Sequence, residues 1–117
     1  MKFLIIVNDP PYGTERVYNA LRLAQALLKN QPGSALAVFL MADAVLAARA
    51  GQSTPEGFYN VERMLRRVVA AGGEVLLCGT CMDARGLPAD QMTPGALRSN
   101  MDTLAERTAG ADRVLVF

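Results

Sequence analysis

The sequence has no histidine and only two cysteines among its 117 residues. Without histidine, neither a Ser-His-Asp arrangement nor a Cys-His pair can be assembled within the chain. Two cysteines supply at most half of a closed zinc site, so no metal is expected. An excess of one charge is missing as well: 12 Lys and Arg stand against 11 Asp and Glu. Phosphate recognition needs a concentrated basic excess, which argues against a nucleic-acid partner. Arg63, Arg66 and Arg67 do cluster, but Glu62 dilutes them, and the group reads as a solvated helix face. No apolar run approaches the length that spans a bilayer. Met1–Val7 is too short for a signal peptide and is interrupted by Asn8-Asp9-Pro10-Pro11. A cytoplasmic chain with no membrane partner is the expectation, and in that compartment a thiol pair is more often reactive or buried than a structural disulfide. No Gly-rich fingerprint follows the first apolar run, so neither a dinucleotide cofactor nor a P-loop is indicated.

What is present is a regular alternation of elements over a single domain, residues 1–117. Residues 2–8 form a continuous apolar run, expected of a strand covered on both faces. Asn8 to Gly13 is then a turn, since Pro10 and Pro11 remove donors and disfavour helix before them. Thr14 is the expected cap of a helix with Val17, Leu21, Ala24 and Leu28 on its buried face. Ala35–Met41 is a second strand, and Asp43 is the expected N-cap of a short Ala-rich helix closed by Gly51. Gln52–Tyr59 reads as the longest and most mobile loop. Asn60 caps a helix with Val61, Met64, Leu65 and Val68 inward, and residues 74–77 make a third strand. Thr93-Pro94 signals a last helix burying Leu97, Met101, Leu104 and Ala105, before a final strand at 114–117.

Strand and helix alternating four times predict an α/β fold, a parallel sheet between helices on both faces in a three-layer sandwich. Ligands of such sheets bind outside the carboxyl ends of the strands. That edge should gather Asn8, Pro11 and Tyr12 from the first turn, Asp43 from the second, Cys78 from the third, and the carboxylate of Phe117.

Cys78-Gly79-Thr80-Cys81-Met82-Asp83-Ala84-Arg85-Gly86-Leu87 holds both thiols directly after Val75-Leu76-Leu77. Thr80 and Asp83 resemble a capping box, with Thr80 as N-cap and Cys81 in the first turn of a short helix. Cys78 would then lie before the helix and meet its free N–H groups, with Arg85 near enough to add positive charge. Both effects favour a thiolate on Cys78. The competing reading is a buried core thiol, since free cysteine is among the most buried residue types. A thioredoxin-like redox pair fits poorly, because this Cys-x-x-Cys comes late in the chain and opens a short helix.

Three segments together resemble the DsrE/DsrF-like family: Asn8-Asp9-Pro10-Pro11-Tyr12-Gly13-Thr14-Glu15, Val38-Phe39-Leu40-Met41-Ala42-Asp43-Ala44-Val45, and Cys78-Gly79-Thr80-Cys81 with Arg85-Gly86-Leu87. The resemblance covers nearly the whole chain. It implies a small α/β protein that assembles with itself as a homotrimer or hexamer. It also implies a sulfur-relay role, in which a cysteine accepts a persulfide sulfur from a donor protein and passes it to an acceptor. In the family's sulfur carriers that cysteine ends a strand seven residues before an Arg-Gly pair, as Cys78 stands to Arg85-Gly86. Cys81 matches a second cysteine of other relatives and receives no role from the resemblance. Two alternatives stand beside the sulfur carrier: a non-catalytic homo-oligomeric binding module, and a redox sensor pairing Cys78 with Cys81.

Overall fold

The computed structural model describes residues 1–55 and 59–117. The chain forms β1 (Lys2–Val7), α1 (Arg16–Asn30), β2 (Ala35–Leu40), a 3₁₀ segment (Ala42–Ala48), α2 (Val61–Ala70), β3 (Glu74–Cys78), α3 (Gly79–Ala84), a 3₁₀ turn (Ala89–Gln91), β4 (Ala96–Ser99), α4 (Met101–Gly110) and β5 (Arg113–Val116). All five strands are parallel, in the order β4-β3-β2-β1-β5. The chain steps outward from β1 to β4, then returns to place β5 on the other side of β1. Right-handed crossovers put α1, α2 and α3 on one face and α4 on the other.

The apolar runs read as strands are the core. Leu4, Ile5, Val38, Phe39, Leu40 and Leu77 are almost completely buried. The register turns Ile5, Val38, Leu40 and Leu77 to one face, where Val17 and Leu21 of α1 and Leu65 and Val68 of α2 cover the sheet, and turns Leu4 and Phe39 to the face of α4. Burying each large side chain contributes about 1.5–3 kcal/mol. Asn60 caps α2 as its sequence indicates, its Oδ1 accepting the Arg63 N–H at 3.0 Å.

The region after residue 92 differs from expectation. Thr93-Pro94 does not open a helix. Ala96 N–H donates to the Thr93 carbonyl at 3.2 Å and Gly95 has φ 91°, so Pro94-Gly95 makes a type II turn. That turn feeds β4, a fifth strand, and α4 begins only at Met101, capped by Asn100 through the Thr103 N–H at 2.9 Å. As β4 is an edge strand, Leu97 lies exposed, and Met101 and Ala105 are exposed as well; only Leu104 of the expected buried set is inside. At α1 the N-cap is Glu15 rather than Thr14, whose Oγ1 accepts the Arg16 N–H at 3.3 Å. Asp43 is not an N-cap either, since Met41 occupies that position and the segment is 3₁₀.

Among the described residues no helix is long and apolar enough to cross a membrane.

Candidate functional site: two thiols at the carboxyl edge

Parallel pairing brings the strand ends to one edge. There the Asn8 N–H donates to the Phe117 carbonyl and the Met41 N–H to the Val7 carbonyl, both at 3.0 Å. Beside them β3 delivers Cys78 straight into α3. Cys78 itself is the N-cap of that helix: its Sγ accepts the Cys81 N–H at 3.4 Å. The expected capping box is therefore absent. Thr80 lies inside the helix, exposed, and Cys81 is its third residue. β3 runs one residue past its apolar run, to Cys78, so the thiol and not the Thr80 hydroxyl falls at the cap position.

α3 is short because a Schellman motif closes it. Gly86, at φ 63°, donates its N–H to the Asp83 carbonyl, and Leu87 donates to the Met82 carbonyl. Met82 and Leu87 are both buried, anchoring the helix to the core.

Cys81 is tied to the end of β2. Its Sγ accepts the Ala42 N–H at 3.2 Å, and Ala42 holds a left-handed φ of 51°, uncommon for a residue with a Cβ. Arg85 closes the same junction. Its Nε donates to Asp43 Oδ1 at 2.8 Å and its Nη1 to the Cys81 carbonyl at 3.0 Å. Arg85 thus braces α3 against the 3₁₀ segment instead of lying over the Cys78 sulfur. The segment at 88–93 packs on the same side, with Thr93 N–H on the Ala48 carbonyl at 2.7 Å and Ala50 N–H on the Gln91 carbonyl at 2.9 Å.

The electrostatics of Cys78 reverse the sequence expectation. The residue is 7% exposed. Burial pushes its thiol pKa up, and a side-chain hydrogen bond with Cys81 pushes the same way, while the Cys81 N–H opposes them more weakly. Cys78 is therefore chiefly a thiol at neutral pH. Cys81 is the more accessible of the two sulfurs.

The cation that sequence reasoning missed is Arg98. It holds Asp83 through two bonds, Nη1–Oδ1 at 2.7 Å and Nη2–Oδ2 at 2.8 Å. Its guanidinium lies against Gly79, where a Cβ would meet Cζ at 2.8 Å, so only glycine lets it approach so closely. The hydrogen bonds with Asp83 raise the Arg98 pKa, with a smaller contribution from Cys78, and lower the Asp83 pKa. The misplaced helix over 93–105 hid Arg98; a strand there would have set it beside Leu77 in the register.

Of the other expected residues, Asp43 joins the thiols through Arg85. Tyr12 does not. Its hydroxyl donates to Gln52 Oε1 and accepts the Val61 N–H at 3.2 Å. Pro11 stays with Tyr12 in the turn after β1, and Asn8 is held by β5. Of the loop expected at Gln52–Tyr59, 56–58 lie outside the described residues, and Gln52 is firmly anchored. Its Nε2 donates to the Ala47 and Arg49 carbonyls, both at 2.8 Å. Its N–H and that of Gly51 each donate to Glu62 Oε1 at 3.1 Å. Glu62 is 6% exposed, so it belongs to this anchor and not to a solvated face. Two surface grooves lie elsewhere. One of ≈ 380 Å³ opens at the far edge of the sheet beside Lys2, Ala35 and Arg107, and one of ≈ 280 Å³ lies between α1 and α2.

A family model described as "DsrE/DsrF-like family" matches residues 1–117. The chain belongs to the DsrE/DsrF-like family. Protein YchN of Escherichia coli (strain K12) is 41% identical over 116 residues, covering 99% of this chain and 98% of that protein. The crystal structure of the E. coli protein superimposes with a TM-score of 0.94 at 40% identity, covering 100% of this chain and 99% of the other. The sulfurtransferase TusD of Salmonella arizonae is 30% identical over 129 residues, with both chains fully covered. The family model and these two relatives confirm the resemblance carried by the three sequence segments, and the superposition confirms the sandwich fold.

Proposed function

We propose that this protein is a sulfur carrier in which Cys78 accepts a sulfane sulfur from a donor protein and yields it to an acceptor thiol. The observation that carries the reading is the position of Cys78, a thiol ending a central strand at the ligand-binding edge and holding the cap of α3. A relative named as a sulfurtransferase supports the chemistry. Cys78 would attack the outer sulfur of a donor persulfide as thiolate, forming Cys78-S-SH and releasing the donor thiol. Arg85 is a positioning residue here, since it fixes Asp43 and the Cys81 carbonyl rather than the reacting sulfur. Burial raises the Cys78 pKa, so the thiolate that attacks is the minor form at neutral pH.

Self-association is part of the proposal. The row of alternate residues that bears Cys78 also carries Leu76 and, on β4, Leu97; β1 and β5 extend the same face with Ile6, Val114 and Val116. Leu97 is 60% and Val116 66% exposed, so α4 leaves this apolar side of the sheet partly open. A homotrimer or hexamer would cover it.

The test is incubation with a persulfide donor followed by intact and peptide mass analysis. A gain of one sulfur on the peptide bearing Cys78, abolished in Cys78→Ser, is the expected result. Sulfur uptake that survives Cys78→Ser unchanged refutes the assignment. The burial of Cys78 favours a second reading, a non-catalytic oligomeric binding module, whose signature is a Cys78 that takes no sulfur from any persulfide donor.

A further inference from the structure

The sulfur-carrier reading gives Cys81 nothing to do, yet its sulfur is placed more firmly than that of Cys78. The Cys81 N–H donates to Cys78 Sγ at 3.4 Å, one turn of α3 apart. The Ala42 N–H holds Cys81 Sγ at 3.2 Å, from a left-handed backbone at φ 51° that a residue with a Cβ seldom adopts. Arg85 locks the Cys81 carbonyl to the same junction. One contact thus joins Cys81 to Cys78, and two others hold Cys81 in place beside it. The outer of the pair is the partly exposed one.

We propose that Cys81 is a resolving thiol that attacks the inner sulfur of a Cys78 persulfide, releases the outer sulfur as hydrosulfide and leaves a Cys78–Cys81 disulfide. The proposal rests on the carrier reading above. The bond that forms joins Cys81 Sγ to Cys78 Sγ; the bond that breaks joins Cys78 Sγ to the outer sulfur. That electron pair leaves with the outer sulfur, which is reduced from the sulfane level to sulfide. The two cysteine sulfurs supply the two electrons and end as a disulfide. The Cys81 proton passes to solvent or to the departing hydrosulfide. No outside oxidant enters. A dithiol reductant then reopens the disulfide at Cys81, the partly exposed member of the pair, and returns both thiols. With such a reductant the protein converts carried sulfur to free sulfide when no acceptor protein takes it first.

The experiment uses the full chain and its Cys81→Ser and Cys78→Ser variants, loaded anaerobically with inorganic polysulfide and freed of excess donor by rapid desalting. Sulfide release is then followed by bimane trapping and the protein by intact and peptide mass. The native chain should lose its added sulfur, release an equivalent of sulfide and finish two hydrogens lighter than the dithiol, a change that dithiothreitol reverses. Cys81→Ser should keep its sulfur on residue 78 and release no sulfide without added thiol. A native chain that holds its sulfur as long as Cys81→Ser does overturns the resolving role and leaves the carrier intact. Failure of Cys81→Ser to take sulfur on Cys78 defeats the carrier reading itself, and stable loading of Cys81 in Cys78→Ser overturns the proposed direction of attack.

Discussion

Glu62 offers a quantitative test of how the structure around the strand ends is held. Its carboxylate accepts two backbone N–H groups, from Gly51 and Gln52, both at 3.1 Å, while the residue is 6% exposed. A hydrogen bond to a charged group contributes about 1.5–3 kcal/mol net. Gly51 is itself exposed, so water can reach its N–H once the carboxylate is gone. That discounts the sum for the two bonds, about 3–6 kcal/mol, to about 2–3 kcal/mol for Glu62→Ala. Unfolding entropy near 2.1 cal/mol/K per residue over 117 residues amounts to about 0.25 kcal/mol/K, so each kcal/mol shifts Tm by about 4 °C. Glu62→Ala should therefore melt about 8–12 °C below the native chain. Glu62→Gln keeps an acceptor oxygen and loses only the charge, and should fall by about 4 °C. Differential scanning calorimetry gives the shifts, and amide hydrogen exchange should quicken at Gly51 and Gln52 in the Ala variant. A Glu62→Ala chain melting within about 2 °C of native, or a Gln variant falling as far as Ala, would refute the reasoning.

Three further outcomes are expected. Alkylation of Cys78 should rise with pH through the ordinary thiol range and keep rising above it, because burial holds the neutral form; a rate already at its plateau near neutral pH would contradict this. Met82→Ala, which removes the completely buried side chain of the α3 residue after Cys81, should cost about 2–5 kcal/mol in denaturant unfolding and, by loosening α3, increase the accessibility of Cys78 to thiol reagents. Val116→Asp combined with Leu97→Asp should shift an assembled protein toward monomer in analytical ultracentrifugation without unfolding it, since both side chains are exposed in the single chain.

The sequence was most readable where apolar runs were long. β1, β2 and β3 announce themselves as continuous hydrophobic segments because both sides of the sheet are covered there, and α2 carries both its cap and its buried face in plain view. β4 was hidden because an edge strand of four residues, Ala96–Ser99, has no such run, and a Thr-Pro pair before it imitates a helix start. The site followed the same division. Cys78 could be placed at a strand end from Val75-Leu76-Leu77 alone, and the convergence of the strand ends followed from parallel topology. The partners of Arg85 and the presence of Arg98 could not be read, since both depend on neighbours fixed by strand order and not by chain order. Even the sign of the Cys78 pKa shift turned on how deeply the thiol sits, which a helix-terminus argument does not contain.

The strand order carries a consequence for how the chain is made. β1 is made before the other strands of the sheet, yet it lies between β2 and β5, and β5 comes last among them. Phe3, Leu4, Ile5 and Ile6 pair with residues 113–116, the Lys2 N–H donates to Asp112 Oδ2 at 2.7 Å, and the Asn8 N–H donates to the Phe117 carbonyl. Until those residues emerge, one side of β1 is an open edge of unpaired N–H and C=O groups. The strand synthesised first is thus completed last. A nascent or truncated chain lacking only 113–117 keeps its helices and both thiols but exposes a ready template for strand addition. The interval before β5 docks is when this protein is most open to mispairing.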